Sequence, residues 1–155
     1  MSLEDLNELA LQLGAGRVLV VGTSKGNPSS LTFYEPSLPV IRPLSIIYLK
    51  GVSLRREITD RRAPSFREMC VTYSSPDLTH LAQVLSLSLQ SGGPVLSSLD
   101  QLHLVRECDL VLHLTTESGI LASASFYTTG KTVEIGPRMR IGRFRELEGE
   151  GEPEA

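Results

Sequence analysis

Tryptophan is absent, and aromatic residues make up only 5% of the 155 positions. An interface built mainly on stacked bases is therefore not prominent. There are two cysteines, Cys70 and Cys108. They are too few and too far apart in sequence for a disulfide scaffold or a zinc site, and they read as small core residues on strand-like or pre-strand segments. Long apolar runs are lacking too: Val18 to Val21 is typical, which excludes a transmembrane helix. Residues 1–14 are acidic and amphipathic rather than basic and then apolar, so no secretory signal is read there.

Catalytic motifs are equally scarce. Gly130-Lys131-Thr132 resembles the end of a phosphate-binding loop, but Ser125 stands where that loop needs glycine, and a strand-like stretch follows instead of a helix. A hairpin turn accounts for it better. Gly14-Ala15-Gly16 precedes its strand, whereas a dinucleotide loop follows one. His80, His103 and His113 are not at metal spacing with one another or with another ligand, and structural roles are expected for them. No Gly-x-Ser-x-Gly elbow occurs, and no carboxylate pair stands out. The expectation is a non-enzymatic chain without cofactor or metal.

Apolar residues make up 41% of the chain and charged residues 21%, a folded globular composition of single-domain length. The net charge of −3 conceals segregation. Residues 146–155 hold five glutamates and no base, while the rest carries 15 bases against 13 acids. Six bases and two acids fall in 50–67, five bases and one acid in 131–145, and one base and six acids in 68–130. Twelve of the 15 bases are arginine, whose forked guanidinium suits phosphate. A solvated charged face is the competing explanation.

Laid over 96–127 without gaps, residues 3–34 give eleven identities in 32 positions, ending in the shared pairs Phe33/Phe126 and Tyr34/Tyr127. This is an internal duplication of helix, strand, turn and strand. In the first copy, Ser2 is placed to cap a helix with Leu3, Leu6, Leu9, Ala10 and Leu13 on its stripe, and Gly14 and Gly16 stop it. Val18–Val21 and Leu31–Tyr34 then form a hairpin around Ser24–Pro28, and Leu44–Lys50 is a third strand. The second copy reads as a helix over Ser98–Arg106, a hairpin of Leu110–Leu114 with Ala122–Tyr127, and strands at Thr132–Ile135 and Met139–Ile141. An extra strand, Glu68–Tyr73, and an extra helix, with Leu78, Leu81, Ala82, Leu85 and Leu89 on its stripe, come before it. The first copy has no equivalent, so the duplication implies a further N-terminal strand and helix of roughly 25–35 residues.

Two basic segments remain. One is Lys50-Gly51-Val52-Ser53-Leu54-Arg55-Arg56, and the other is Gly136-Pro137-Arg138-Met139-Arg140-Ile141-Gly142-Arg143. In the second, alternation puts arginines on one strand face and apolar chains on the other. That pattern holds cations on a rigid sheet against a phosphate backbone. With so few aromatics, structured RNA fits better than a single strand.

Four stretches resemble the archaeal Brix-domain proteins. These are Ser2-Leu3-Glu4-Asp5-Leu6 through Gly14-Ala15 into Arg17-Val18-Leu19-Val20-Val21, then Lys25-Gly26-Asn27-Pro28, Leu49-Lys50-Gly51-Val52-Ser53-Leu54, and Gly136-Pro137-Arg138-Met139-Arg140-Ile141-Gly142. The second and fourth are the most specific, and 56–108 matches mainly in pattern. The resemblance implies two similar α/β halves like the anticodon-binding domains of some tRNA synthetases. It also implies a role in ribosomal subunit assembly and binding to ribosomal RNA. Such proteins usually begin with a strand and an Arg/Ser-rich helix ahead of the segment matching Ser2, a departure that coincides with the gap in the duplication.

The resulting expectation is an α/β (α+β) domain over residues 1–145, with a mixed sheet in each half, the halves being about 1–62 and 63–145. A disordered acidic tail follows at 146–155. The expected partner is ribosomal RNA in the cytoplasm, with ribosome-assembly proteins as further candidates. Its phosphates would meet Lys50, Arg55 and Arg56 in the first copy, Lys131, Arg138, Arg140 and Arg143 in the second, and more weakly Lys25. Two alternatives stay open: an interaction module completed by a partner strand, and an accessory domain related to tRNA or nucleotide-using enzymes.

Overall fold

A computed structural model of the chain describes residues 1–54, 67–91, 95–97, 108–129 and 133–147. The helix expected at 98–106 and the turn at 130–132 lie outside the described residues. The first element is α1 (Leu3–Leu13), followed by β1 (Val18–Ser24), β2 (Asn27–Glu35) and β3 (Arg42–Ser53). Then come β4 (Met69–Tyr73), a 3-10 turn (Pro76–Leu78), α2 (Thr79–Ser88), β5 (Val95–Leu96), β6 (Leu110–Glu117), β7 (Ile120–Thr128) and β8 (Glu134–Glu146). The mixed α+β class read from the sequence holds. The two sheets expected are instead one mixed eight-stranded sheet, ordered β1-β2-β3-β8-β7-β6-β4-β5. The parallel pairs, β4 with β5 and β4 with β6, lie in the second half; β1 to β3 are antiparallel. The halves fuse because β3 and β8 pair antiparallel along most of their length.

The strand ladders bear the duplication out. Val18 faces Tyr34, Leu19 faces Phe33 and Val21 faces Leu31. Shifted by 93, Val111 faces Tyr127, Leu112 faces Phe126 and Leu114 faces Ala124. Both hairpins turn through a residue pair ending in a positive-φ glycine, Lys25-Gly26 and Ser118-Gly119. Glycine suits that position because a left-handed backbone strains other residues.

The main core lies on one face of the sheet, under α2, and a smaller buried cluster of Cys70, Cys108 and Val111 lies on the other. In the main core, Leu78, Leu81, Ala82 and Leu85 pack with Val71, Leu112, Leu114, Ile47 and Ile141. The helix stripe agrees with the sequence reading. The two halves differ in cover. Leu112 and Leu114 are fully buried, but their counterparts Leu19 and Val21 are 47% and 46% exposed. Among the described residues, the first half has no counterpart of α2 and nothing paired to the outer edge of β1.

α1 departs from expectation. Its capping box is as read, with Ser2 Oγ accepting from the Asp5 N–H and Asp5 accepting from the Ser2 N–H. Its expected stripe is buried only in part, at Ala10 and, half-buried, Leu6. Asn7 and Ala10 are buried, while Leu3, Leu9 and Leu13 are exposed. The polar Asn7 wins the contact because its amide pairs twice with the Ser37 backbone, which apolar side chains cannot do.

The cysteines need a second correction. Both are buried, as core residues should be, and they are joined in a disulfide across 38 positions. Parallel pairing of β4 with β6 sets Cys70 opposite Val111, and this brings Cys108, just ahead of β6, within 5.7 Å Cα to Cα. Spacing along the chain carried no sign of that proximity.

Two outcomes follow for stability. Leu112→Ala is expected to cost about 2–5 kcal/mol in urea denaturation, and Leu19→Ala, at the matched but uncovered position, less than about 1 kcal/mol. Equal costs would mean that the halves are covered alike. Reducing the disulfide, or Cys70→Ser, should lower stability by about 2–4 kcal/mol through the freed loop, read as a fall in the denaturation midpoint.

Candidate nucleic-acid interface

The sheet face opposite α2 carries the cations. β8 alternates as read: Met139 and Ile141 are buried while Arg138 and Arg140 are exposed. Simple alternation would then turn Arg143 inward. It does not, because two bulges meet at the β3–β8 seam. Leu49 faces Ile141, Tyr48 faces Arg143 and Gly51 faces Arg140. Gly142 is thus an extra residue on β8, and Lys50 an extra one on β3. The first bulge resets the phase, so that Phe144 packs on the core and Arg143 and Arg145 join Arg138 and Arg140 outside.

Glycine leaves room for a lysine stem at this bulge. A Cβ on Gly142 would come within 2.9 Å of Lys50 Cε and 3.1 Å of Cγ. The Lys50 stem therefore lies over Gly142, and the residue is exposed. The flanking positions are small: Arg138 lies between Ser125 and Ser53, and Arg140 between Ser123 and Gly51.

Each arginine is held differently. Arg138 makes a two-pronged contact with Glu134, at 2.6 and 2.9 Å. The Glu134 carboxylate raises the Arg138 pKa further by hydrogen bond and charge, so the guanidinium stays cationic. Arg140 donates to Glu117 at 2.8 Å. Arg143 stacks on Tyr48, its guanidinium carbon 4.0 Å from the ring centroid. Both ion pairs are about half accessible on the arginine side. The Arg140–Glu117 pair, exposed on both sides, is of the weak surface kind, whereas the two-pronged contact with the largely buried Glu134 fixes the aim of Arg138.

The structure therefore brings together Lys50, Arg138, Arg140 and Arg143 in one stripe along the seam, where the sequence suggested two separate segments. Lys25 sits away from the stripe, at the β1–β2 turn with φ 53°, beyond β3. Arg55, Arg56 and Lys131 lie outside the described residues. Sequence reasoning missed Arg145 and Tyr48. Arg145 is the next outward position after the reset phase, and the stacking on Tyr48 depends on strands about ninety residues apart.

A polar row supports the stripe from the side. Thr72, His113, Ser125, Arg138 and Ser53 are successive partners across β4, β6, β7, β8 and β3. His113 Nδ1 and Thr72 Oγ1 are 2.6 Å apart and buried. Burial pushes the His113 pKa down, which favours the neutral ring in the folded protein. The structural role expected of His113 is what is seen. His80 is instead exposed, 3.1 Å from Glu146. Among the described residues, no group of His, Cys, Asp or Glu is gathered as a metal would require, and no helix is long and apolar enough to cross a membrane.

The lowered His113 pKa sets a pH dependence. The unfolded chain takes up this proton near pH 6.5, above the folded value. Stability should be full above about pH 6.5 and fall as pH drops through the window below it. Replacing His113 with Asn should flatten that slope in denaturation curves between about pH 5 and 7; an unchanged slope would remove His113 as its source.

Comparison with known proteins agrees with this architecture. No family model matches the chain. A probable Brix domain-containing ribosomal biogenesis protein of Thermococcus kodakarensis is 34% identical over 67 residues, 43% of this chain and 32% of that protein. The chain thus covers about a third of that curated relative. A probable ribosomal biogenesis protein of Aeropyrum pernix K1 superposes with a TM-score of 0.70 at 22% identity, covering 92% of this chain and 76% of that one. Mil, an archaeal Imp4-like protein, gives 0.58 at 19%, covering 94% and 77%. The Brix resemblance is thereby shown over 67 residues of sequence by a curated archaeal Brix-domain protein, and the fold is shared with archaeal ribosomal biogenesis and Imp4-like structures.

Proposed function

We propose that the chain is a non-enzymatic, cytoplasmic ribosome-biogenesis factor that binds structured ribosomal RNA through the β8 stripe. The carrying observation is the stripe itself. Arg138, Arg140 and Arg143 project from one rigid strand, with Lys50 against its bulge. A row of guanidiniums along a strand can follow a phosphate backbone, each contact releasing counterions. The low aromatic content favours shape and phosphate recognition over stacking. The relatives' names point to ribosome assembly. Arg55, Arg56, Lys131 and Lys25 are proposed as further phosphate contacts on sequence grounds.

The test is binding to a structured ribosomal RNA fragment, followed by fluorescence anisotropy across a salt series. Log affinity should fall linearly with log salt, and Arg138→Ala with Arg140→Ala should lower the slope by about two, one per lost contact. A flat salt dependence, or an unchanged slope in the double variant, would overturn the proposal.

A second reading has its own observation. The outer edge of β1 is unpaired among the described residues, and Leu19 and Val21 beside it are half exposed. Such an edge is a template for another strand. Concentration-dependent association without RNA binding would favour that reading.

A further inference from the structure

Away from the arginine stripe, α1 and the segment 36–41 enclose a groove of about 580 Å³. It is held in shape by specific bonds. The Asn7 side-chain amide donates to Ser37 O at 2.9 Å, and the Ser37 N–H donates back to Asn7 Oδ1 at 3.1 Å. The Ser37 hydroxyl donates to Val40 O. The segment is thus fixed at its backbone, yet it holds Leu38 and Val40 out to solvent, 82% and 65% exposed. Leu3 and Leu11 line the helix side of the groove, both about two-fifths exposed. Apolar side chains presented on ordered backbone lose little freedom when a partner covers them, and a grouped apolar patch of this kind marks an interaction site.

The rim decides what kind of partner fits. Glu4 and Glu8 line the same groove, one turn apart on α1. Like charges at that spacing destabilise a helix slightly. α1 contains no base, and among the described residues no ion pair involves either glutamate. The groove therefore combines an apolar floor with two carboxylates that have no ion-pair partner among the described residues. A phosphate backbone would be repelled there, whereas a lysine- or arginine-flanked apolar ridge would satisfy both features.

We propose that this groove docks a basic amphipathic helix of a protein partner, its apolar ridge on Leu38, Val40, Leu3 and Leu11 and its cations on Glu4 and Glu8. The mode is helix-in-groove recognition. It is separate from the RNA proposal, since the stripe lies on β8.

The test is a titration of the isotope-labelled chain with a model peptide of leucine and lysine in amphipathic-helix order, followed by NMR. Shifts should be confined to α1 and residues 36–41. Leu38→Ser with Val40→Ser should weaken binding by tenfold or more. Glu4→Gln with Glu8→Gln should weaken it several-fold and reduce its salt sensitivity. These side chains are exposed, so the variants keep the fold, which the unperturbed core resonances verify. A glutamate version of the peptide should not bind. The proposal fails if the glutamate peptide binds equally, or if shifts fall only on the glutamate-rich residues 146–155. It also fails if the chain alone self-associates through the groove, with the association lost in Leu38→Ser/Val40→Ser, because the occupant would then be a second copy.

Discussion

The antiparallel pairing of β3 with β8 is the constraint on which the rest depends. It joins the first half, whose described strands number three, to the second, which carries five. It also places Ile47 and Ile141, both fully buried, in one core beneath α2. The seam is not a regular ladder. Lys50 and Gly142 are both extra residues, on opposite strands and adjacent along the seam. Bulges re-aim side chains, and here they keep Val52 and Phe144 packed on the core while Gly51 and Arg143 stay on the outer face. The cationic stripe is therefore a product of the same joint that closes the core.

The halves share a ladder but not an environment. Leu19 aligns with Leu112 and Val21 with Leu114, yet one pair is half exposed and the other fully buried. The difference is α2 and β4: β4 flanks β6 of the second hairpin, and the cluster under α2 takes in Leu112 and Leu114 but, of the first hairpin, Phe33 and Leu31 rather than Leu19 and Val21. The first half is tied down differently. The Arg17 guanidinium donates to the Leu87 carbonyl near the end of α2, at 3.0 and 3.2 Å. α2 has no basic residue in its own last turn, so Arg17 supplies from β1's side the cation that a helix C-terminus favours. The Gln90 side chain, just beyond α2, packs over Gly16, where a Cβ would displace it.

Charge is divided in space as it is in sequence. The β8 face gathers Arg138, Arg140, Arg143 and Lys50 with Tyr48 as a stacking partner. The α1 side presents Glu4 and Glu8 beside exposed leucines. One surface suits an anionic polymer, and the other suits a basic, apolar segment. A chain whose net charge is only −3 can carry both because the fold holds them apart.

Much of this was legible along the chain. Local periodicity revealed both hairpins, the α2 stripe and the outward set of Arg138 and Arg140, because each depends on neighbours a few residues away. The duplication was visible because its copies align without gaps. Tertiary structure alone decided the rest: the single sheet, the phase reset that exposes Arg143 and Arg145, the stacking on Tyr48, the Cys70–Cys108 bond, and the burial of Asn7 ahead of most of the leucine stripe of α1. Each of these is fixed by strand register or backbone contact between segments far apart in sequence. A one-residue slip at the seam would turn every side chain to the other face, and no local pattern records which register is chosen.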